Sequence, residues 1–271
     1  MADAGTYVYA IAREEDCPRP EGLTGVAGAP VRTVRRAGLV AYVSTVPLER
    51  FGEEPLRRSL EDLEWVEETA RAHHRVVETV AEAAATAPVR LVTVYSDEEQ
   101  VGDLLQRRYD DFTALLSQVA GRREWGVKAY AERTSPATGV EDAAEDATAE
   151  DSPGTAYLRR RRASLHDRQD AWRDAVAEAE HIHSRLAAIA VADRLHRPQD
   201  PSLSGRDEWM VLNGAYLVDV ERGEEFAAAL DALRGRGIDL ELTGPWAPYS
   251  FTALDPGPSD PRDPLDPEGA P

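Results

Sequence analysis

The chain has 271 residues, of which 50 are Asp or Glu and 31 are Lys or Arg, so its formal net charge is −19. A chain this acidic is a poor match for nucleic acid or an anionic membrane, because both recruit proteins through Lys and Arg. The single cysteine, Cys17, excludes an internal disulfide, and no apolar run approaches the roughly 18 residues of a membrane span. Since the start also lacks the features of a secretory signal, we expect a cytoplasmic protein of about two domains.

The first half of the chain alternates between strand and helix patterns. Period-two alternation of β-branched and aromatic residues predicts strands at 6–12, 31–36, 39–46, 89–95 and 124–131. Apolar residues at steps of three and four predict a helix at 59–86, capped by Ser59, and another that begins after Ser96 and stops at Gly121. These elements predict an α+β domain at 1–133, with helices covering a mixed sheet.

A second α+β domain is expected at 155–254, between two segments whose composition predicts disorder. Residues 134–154 read as an acidic flexible linker and residues 255–271 as a Pro-rich disordered tail. The pattern predicts helices at 157–197 and 224–234 and strands at 209–220 and 238–242. On the long helix an apolar residue recurs every seventh position, which favours packing on another helix; the members of this stripe are Leu158, Leu165, Trp172, Ala179 and Leu186.

The histidines do not have the spacing of a metal or catalytic site. His73 and His74 are adjacent, and neighbouring helix residues point about 100° apart, so they cannot form one bidentate site. We expect His73, which falls in the apolar stripe, to be hydrogen-bonded within the core. The chain contains no phosphate loop, dinucleotide fingerprint or nucleophile elbow. The sequence therefore predicts no catalytic residue, no cofactor and no metal, and a protein that is not an enzyme.

Arg159-Arg160-Arg161-Arg162 is the only strongly basic run. It is either a docking patch for an acidic partner or phosphate, or a solvated helix face that contacts the acidic linker just upstream. The negative net charge of the chain favours the second interpretation.

Residues 243–251 have the most unusual composition, TGPWAPYSF. Pro245 and Pro248 restrict the backbone and remove two hydrogen-bond donors, while Trp246, Tyr249 and Phe251 supply a large apolar area. Such a run cannot form a central strand and predicts a rigid, extended segment. It serves either to clasp the core or to present a surface to a partner, and the residues favour neither.

Several segments, in order along the chain, resemble the gas vesicle protein F/L family. Residues 38–44 are similar to the family's gly-leu-x-ala-x-val-ser strand, 124–128 to its glu-trp-x-val-lys strand, and 154–158 to its gly-x-x-tyr-leu. Residues 88–95 match the usual pro-leu-arg-phe-gly-thr-val-phe only in part. Residues 243–251 match thr-gly-pro-trp-pro-pro-tyr-ser-phe, with Ala247 at a position where the family has proline.

The resemblance implies a two-domain α+β protein with a ferredoxin-like second domain and no known enzymatic activity. It implies an accessory or minor structural protein that acts in assembly of the gas vesicle, in the cytoplasm and at the vesicle. Its implied partners are the small hydrophobic shell protein and other gas vesicle accessory proteins. The residues of the family motif and of the candidate partner surface are Gly244, Pro245, Trp246, Pro248, Tyr249, Phe251, His73 and Trp125. The alternative is a small-molecule sensor or enzyme with a pocket at the domain junction, near His73 and Trp125.

Overall fold

The computed structural model describes residues 3–132, 153–198, 206, 208–235 and 237–252, and for 153–160, 163, 164 and 167 it describes the backbone alone. The predicted tail, and all but the last two residues of the predicted linker, lie outside the described residues. The chain forms two compact units. One contains the described residues up to Glu124 together with those from Pro245 onward, and the other is Trp125–Gly244.

The first unit is built on a five-stranded sheet in the order β2-β3-β1-β4, with β5 also paired to β1. Its strands are β1 (Ala4–Arg13), β2 (Arg32–Arg36), β3 (Leu39–Pro47), β4 (Thr86–Pro88) and β5 (Val94–Tyr95). Strands β1 and β3 are antiparallel, and their register shifts between Val8 and Ala10. Every residue of β1 from Gly5 to Ala12 is buried, so β1 lies at the centre of the unit.

Helices cover both faces of this sheet. They are α1 (Leu48–Phe51), α2 (Glu53–Ser59), α3 (Leu63–Ala81), α4 (Glu98–Arg107) and α5 (Tyr109–Val119). Tyr7 and Tyr9 of β1 belong to a buried cluster with α3, whereas Val8 and Ile11 belong to a second cluster with α4 and α5. The side chains of β1 therefore pack in two cores, one on each face of the sheet.

Several element boundaries in this unit differ from the predicted ones. The helix expected at 59–86 begins at Leu63, where the Asp62 carboxylate accepts hydrogen bonds from the next turn, and Ser59 ends α2 instead of capping α3. That helix ends at Ala81, and β4 follows it. The strand expected at 89–95 is reduced to Val94–Tyr95. The helix expected after Ser96 is two helices, α4 and α5, and its cap is Asp97.

Among its described residues, the second unit has the element order β-α-β-β-α-β: β6 (Arg122–Ala131), α6 (Pro153–Ala187), β7 (Ala192–Leu195), β8 (Trp209–Asp219), α7 (Gly223–Asp231) and β9 (Ile238–Trp246). Its sheet has the order β7-β8-β6-β9. This is the ferredoxin-like arrangement, and the α+β, two-domain prediction is confirmed. The core is formed by residues of α6 and α7, including Leu186 and Phe226, against the sheet.

The division of the chain differs from the predicted boundaries of 1–133 and 155–254. The strand expected at 124–131 belongs to β6, in the sheet of the second unit, and the chain from Pro245 returns to the first unit. The helix expected at 157–197 ends at Ala187, and Ala192–Leu195 is a strand paired with β8. Local periodicity misses these assignments because strand partners are chosen by residues far away in sequence.

Candidate functional site

The C-terminal segment, which we define as residues 245–252, packs on the first unit. After β9 it forms one 3₁₀ turn, Tyr249–Phe251. Ala247, Pro248 and Phe251 are buried, whereas Trp246 keeps 42% of its surface exposed. The segment therefore combines a buried, core-clasping side with an exposed aromatic side chain.

Glu78, on α3, anchors the middle of the C-terminal segment. One of its carboxylate oxygens accepts a hydrogen bond from the backbone N–H of Ala247 at 2.6 Å, and the other pairs with the guanidinium of Arg123. Both charged side chains are more than four-fifths buried, so the pair is shielded from water. At the position where the family has proline, Ala247 supplies the N–H that proline lacks.

Glu124 anchors the end of the C-terminal segment. Its carboxylate accepts from the backbone N–H of Ser250 at 2.7 Å and from the Ser250 hydroxyl at 2.6 Å. The Thr252 hydroxyl donates to the carbonyl of Pro88 at 3.1 Å. Hydrogen bonds to a carboxylate are about twice as strong as neutral ones, so Glu78 and Glu124 together hold the segment in one conformation.

Two histidines of α3 lie beneath the aromatic side chains of the segment. His74 contacts Trp246 edge-on, with ring centroids 5.3 Å apart, and stacks near Tyr249 at 6.3 Å. His73 lies 6.2 Å from the ring of Tyr249. Burial, with the nearby carboxylates of Glu78 and Glu124, raises the pKa of Tyr249, which keeps its phenol neutral.

His73 is buried and hydrogen-bonded, as expected. The Tyr7 hydroxyl accepts from the backbone N–H of Val92 at 3.0 Å and is hydrogen-bonded to His73 Nδ1 at 2.9 Å. Burial lowers the pKa of His73 to about 4, although the backbone of Val89 opposes this shift. The other ring nitrogen, Nε2, is buried without a hydrogen bond of normal geometry. These contacts fit a structural role, in which a neutral His73 orients Tyr7.

The Tyr7 hydroxyl also holds a strained turn. Val92 has a φ of 59°, a left-handed conformation that disfavours β-branched residues and favours glycine. The partial family match at 88–95 has its glycine at this position. The left-handed backbone thus explains why glycine is usual at this position. In this chain the position is a valine, and the hydrogen bond from its backbone N–H to Tyr7 helps to stabilise the strained conformation.

Trp125 lies in the other unit, where its ring packs 5.9 Å from that of Phe226. The structure therefore assigns His73 and Trp125 to two separate cores. One cavity, of about 410 Å³, lies beside Arg13, Gly38 and Tyr109; another, of about 190 Å³, lies beside Tyr95. Neither is lined by His73 or Trp125. Within the described ranges, no three His, Cys, Asp or Glu side chains converge as a metal site.

The sequence singled out the aromatic side chains of the C-terminal segment but missed the groups that anchor them. Glu124 stands beside Trp125 in a matched motif, so the motif marks the anchoring carboxylate as well as the tryptophan. Glu78 and Arg123 carry no local signal, because charged residues on a helix and at a strand start are usually solvated.

The two units define the class of protein. The second is ferredoxin-like, and the first has the same strand order, 2-3-1-4 counted within the unit, although only a short 3₁₀ turn, Val26–Gly28, lies between its first two strands. A model of the gas vesicle synthesis protein GvpL/GvpF family matches residues 5–253. The chain belongs to this family of gas vesicle proteins.

Individual gas vesicle proteins are similar to the chain over most of its length. Gas vesicle protein L of Streptomyces sp. (strain CB03234) is 42% identical over 92% of each chain, and gas vesicle protein F of the same organism is 27% identical over 91% of this chain and 98% of its own. The crystal structure of the gas vesicle protein GvpF from Anabaena sp. PCC7120 superposes with a TM-score of 0.64 at 21% identity, covering 93% of this chain and 97% of that one. Among the described residues, no helix is both long and apolar enough to cross a membrane.

Proposed function

We propose that the chain is an accessory protein of gas vesicle assembly that binds the small hydrophobic shell protein and also binds other gas vesicle accessory proteins. The match to the GvpL/GvpF family over residues 5–253 is the observation that carries this proposal. The C-terminal segment is the candidate contact surface, because it presents an aromatic side chain on a scaffold that is held in place.

Trp246 is the centre of this surface. It is 42% exposed, its ring contacts His74, and it precedes the hydrogen bond from Ala247 to Glu78. Tryptophan is enriched among the residues that dominate binding energy at protein interfaces. Because Glu78 and Glu124 fix the neighbouring backbone, little conformational entropy remains to be lost when a partner binds.

The net charge of −19 supports a role in handling an apolar partner. Mutual repulsion between acidic chains opposes self-association. A complex of the chain with a hydrophobic shell subunit would therefore stay dispersed until the subunit is transferred to the growing shell.

The test is co-expression of the chain with the shell protein, followed by measurement of the soluble shell protein and of its recovery in a pull-down. We expect the chain to raise the soluble fraction and Trp246→Ala to reduce recovery by roughly tenfold. Tyr109→Ala is the matched control, because Tyr109 is an aromatic residue that is also 42% exposed and lies in α5, outside the C-terminal segment, and it should leave recovery unchanged.

Two results would contradict the proposal. If the chain changes neither the solubility nor the recovery of the shell protein, the assembly role is wrong. If Trp246→Ala and Tyr109→Ala reduce recovery equally, the C-terminal segment is not the contact surface.

A further inference from the structure

Helix α6 extends beyond the sheet on which it packs. Its 35 residues span about 52 Å, whereas the 11 residues of β8 span about 37 Å. Ala179, Ile182 and Leu186, near the end of the helix, are buried in the core of the second unit. Leu165 and Trp172, earlier in the helix, are 52% and 42% exposed.

The exposed side chains continue the face that packs on the sheet. Leu165, Trp172, Ala179 and Leu186 are seven residues apart, and the direction of side chains on a helix drifts by only about 20° per seven residues. Arg161 and Arg168 each lie four residues before one of the exposed apolar residues, so they share this face. The sequence thus builds one continuous strip. Its upper part consists of Arg161, Leu165, Arg168 and Trp172, and the two apolar side chains there are exposed, whereas those farther along the helix are buried.

The strip has a composition unlike the rest of the chain. Arg161, Arg162 and Arg168 are exposed in a protein whose net charge is −19. Trp172 packs edge-on against Trp209 of β8, with ring centroids 5.2 Å apart, which holds the aromatic surface in a fixed position. Trp and Arg are the side chains most enriched at energetically dominant interface positions.

We propose that this strip docks an amphipathic α-helix of a partner protein, whose apolar ridge is flanked by Asp and Glu. From Arg161 to Trp172 the strip runs for about 16 Å, or three helical turns, which matches a helix of roughly 12 residues. The apolar ridge of the partner lies on Leu165 and Trp172, and its carboxylates pair with Arg161 and Arg168. A second copy of the chain would bring the same arginines against each other, so charge complementarity favours an acidic partner. This surface is separate from the C-terminal segment and does not depend on the function proposed for it.

The experiment uses the full chain and two synthetic helical peptides of about six turns. Each peptide has a leucine ridge; one is flanked by Glu and the other by Lys at the same positions. Binding is measured by calorimetry at several salt concentrations. We expect the Glu peptide to bind at least roughly tenfold more tightly than the Lys peptide, and its affinity to fall as salt increases.

Variants locate the binding surface. Leu165→Ser, and separately Arg161→Glu combined with Arg168→Glu, should each weaken binding of the Glu peptide by at least roughly tenfold. The matched controls lie in the first unit: Leu63→Ser, at a leucine that is 82% exposed, and Arg57→Glu combined with Arg71→Glu, at exposed helical arginines. These controls should bind the Glu peptide as the parent chain does.

Three results would overturn the proposal. The first is equal binding of the two peptides, or equal loss in the strip variants and the controls. The second is a dimer in sedimentation that Leu165→Ser dissociates, since a second copy would then occupy the strip. The third is binding only after the acidic residues between 141 and 151 are changed to their amides, because the strip would then be covered by the chain itself.

Discussion

Val92 and His73 show how single residues of the first unit depend on Tyr7. The Tyr7 hydroxyl accepts from the backbone of Val92 and is hydrogen-bonded to His73, so one phenol joins a strained turn to a buried imidazole. The sequence shows a valine and a histidine at these positions. Only their contacts with Tyr7 explain how Val92 keeps a left-handed backbone and how His73 is accommodated in the core.

The left-handed backbone at Val92 predicts an inverted preference between glycine and alanine. In ordinary backbone, Ala is more stable than Gly by roughly 0.5–1 kcal/mol. At Val92, with a φ of 59°, we expect Val92→Gly to be more stable than Val92→Ala by about 1 kcal/mol, because only alanine carries the Cβ penalty. Urea unfolding of both variants measures this difference. The control pair, Val94→Gly and Val94→Ala in strand β5, should show the ordinary order, and the same order at Val92 would contradict the argument.

The lowered pKa of His73 predicts that the first unit loses stability as the pH falls. The folded protein holds the pKa of His73 at about 4, against an ordinary value of 6.5. Between these values the unfolded chain binds the proton and the folded chain does not, so the free energy of unfolding decreases with falling pH. The slope is up to about 1.4 kcal/mol per pH unit, and the full loss is roughly 3 kcal/mol.

Denaturant unfolding between about pH 5 and 7, above the range in which ordinary carboxylates titrate, isolates this effect. His73→Gln should flatten the pH dependence, since its amide oxygen can still accept from Tyr7 and does not titrate. His74→Gln, at the neighbouring position, should keep it. An unchanged slope in His73→Gln would show that another group is responsible.

At the scale of elements, the C-terminal segment is a tertiary feature of the first unit. It is joined in sequence to β9, an edge strand of the second sheet, but its hydrogen bonds go to Glu78, Glu124 and the Pro88 carbonyl. Pro245 falls within β9, and proline is tolerated there because an edge strand leaves one row of donors unpaired.

Truncation tests the contribution of this segment. A chain that ends at Gly244 loses the burial of Phe251, which is 4% exposed, and the hydrogen bonds to Glu78 and Glu124. We expect the first unit to lose several kcal/mol of stability, since burial of one phenylalanine alone contributes roughly 3 kcal/mol or more. Thermal unfolding and hydrogen exchange of β1 amides measure this loss.

A chain that ends at residue 254 is the matched control, because it removes only the predicted Pro-rich tail and should unfold like the parent chain. Equal stability of the two truncated chains would show that the segment contributes nothing to the first unit.

At the scale of the whole molecule, two units with the same strand order present two surfaces of different chemistry. Trp246, in the first unit, stands beside prolines and carboxylate-anchored backbone, whereas Trp172, in the second, follows Arg168 by about one turn of a long helix. The two proposals therefore assign different partners to the two units: an apolar shell subunit to the first and an acidic amphipathic helix to the second.

The sequence by itself determined the α+β class, most strands and helices, and the family, and the resemblance to that family implied the ferredoxin-like second domain. These depend on local periodicity and on ordered motifs, which are written in neighbouring residues. It also predicted a rigid, extended segment at 243–251, because two prolines restrict its backbone whatever surrounds them. In the structure the residues up to Trp246 belong to β9, and Tyr249–Phe251 form a 3₁₀ turn.

Only the tertiary structure decided how these parts are used. It assigned β6 to the second sheet and the C-terminal segment to the first unit, it revealed β7, and it identified Glu78 and Glu124 as the anchors of the aromatic side chains. Each of these depends on contacts between residues that are far apart in sequence, from 19 to 25 positions for the paired residues of β7 and β8 to 169 for Glu78 and Ala247. The choice of such partners is made by the packing of the whole unit, which no local pattern encodes.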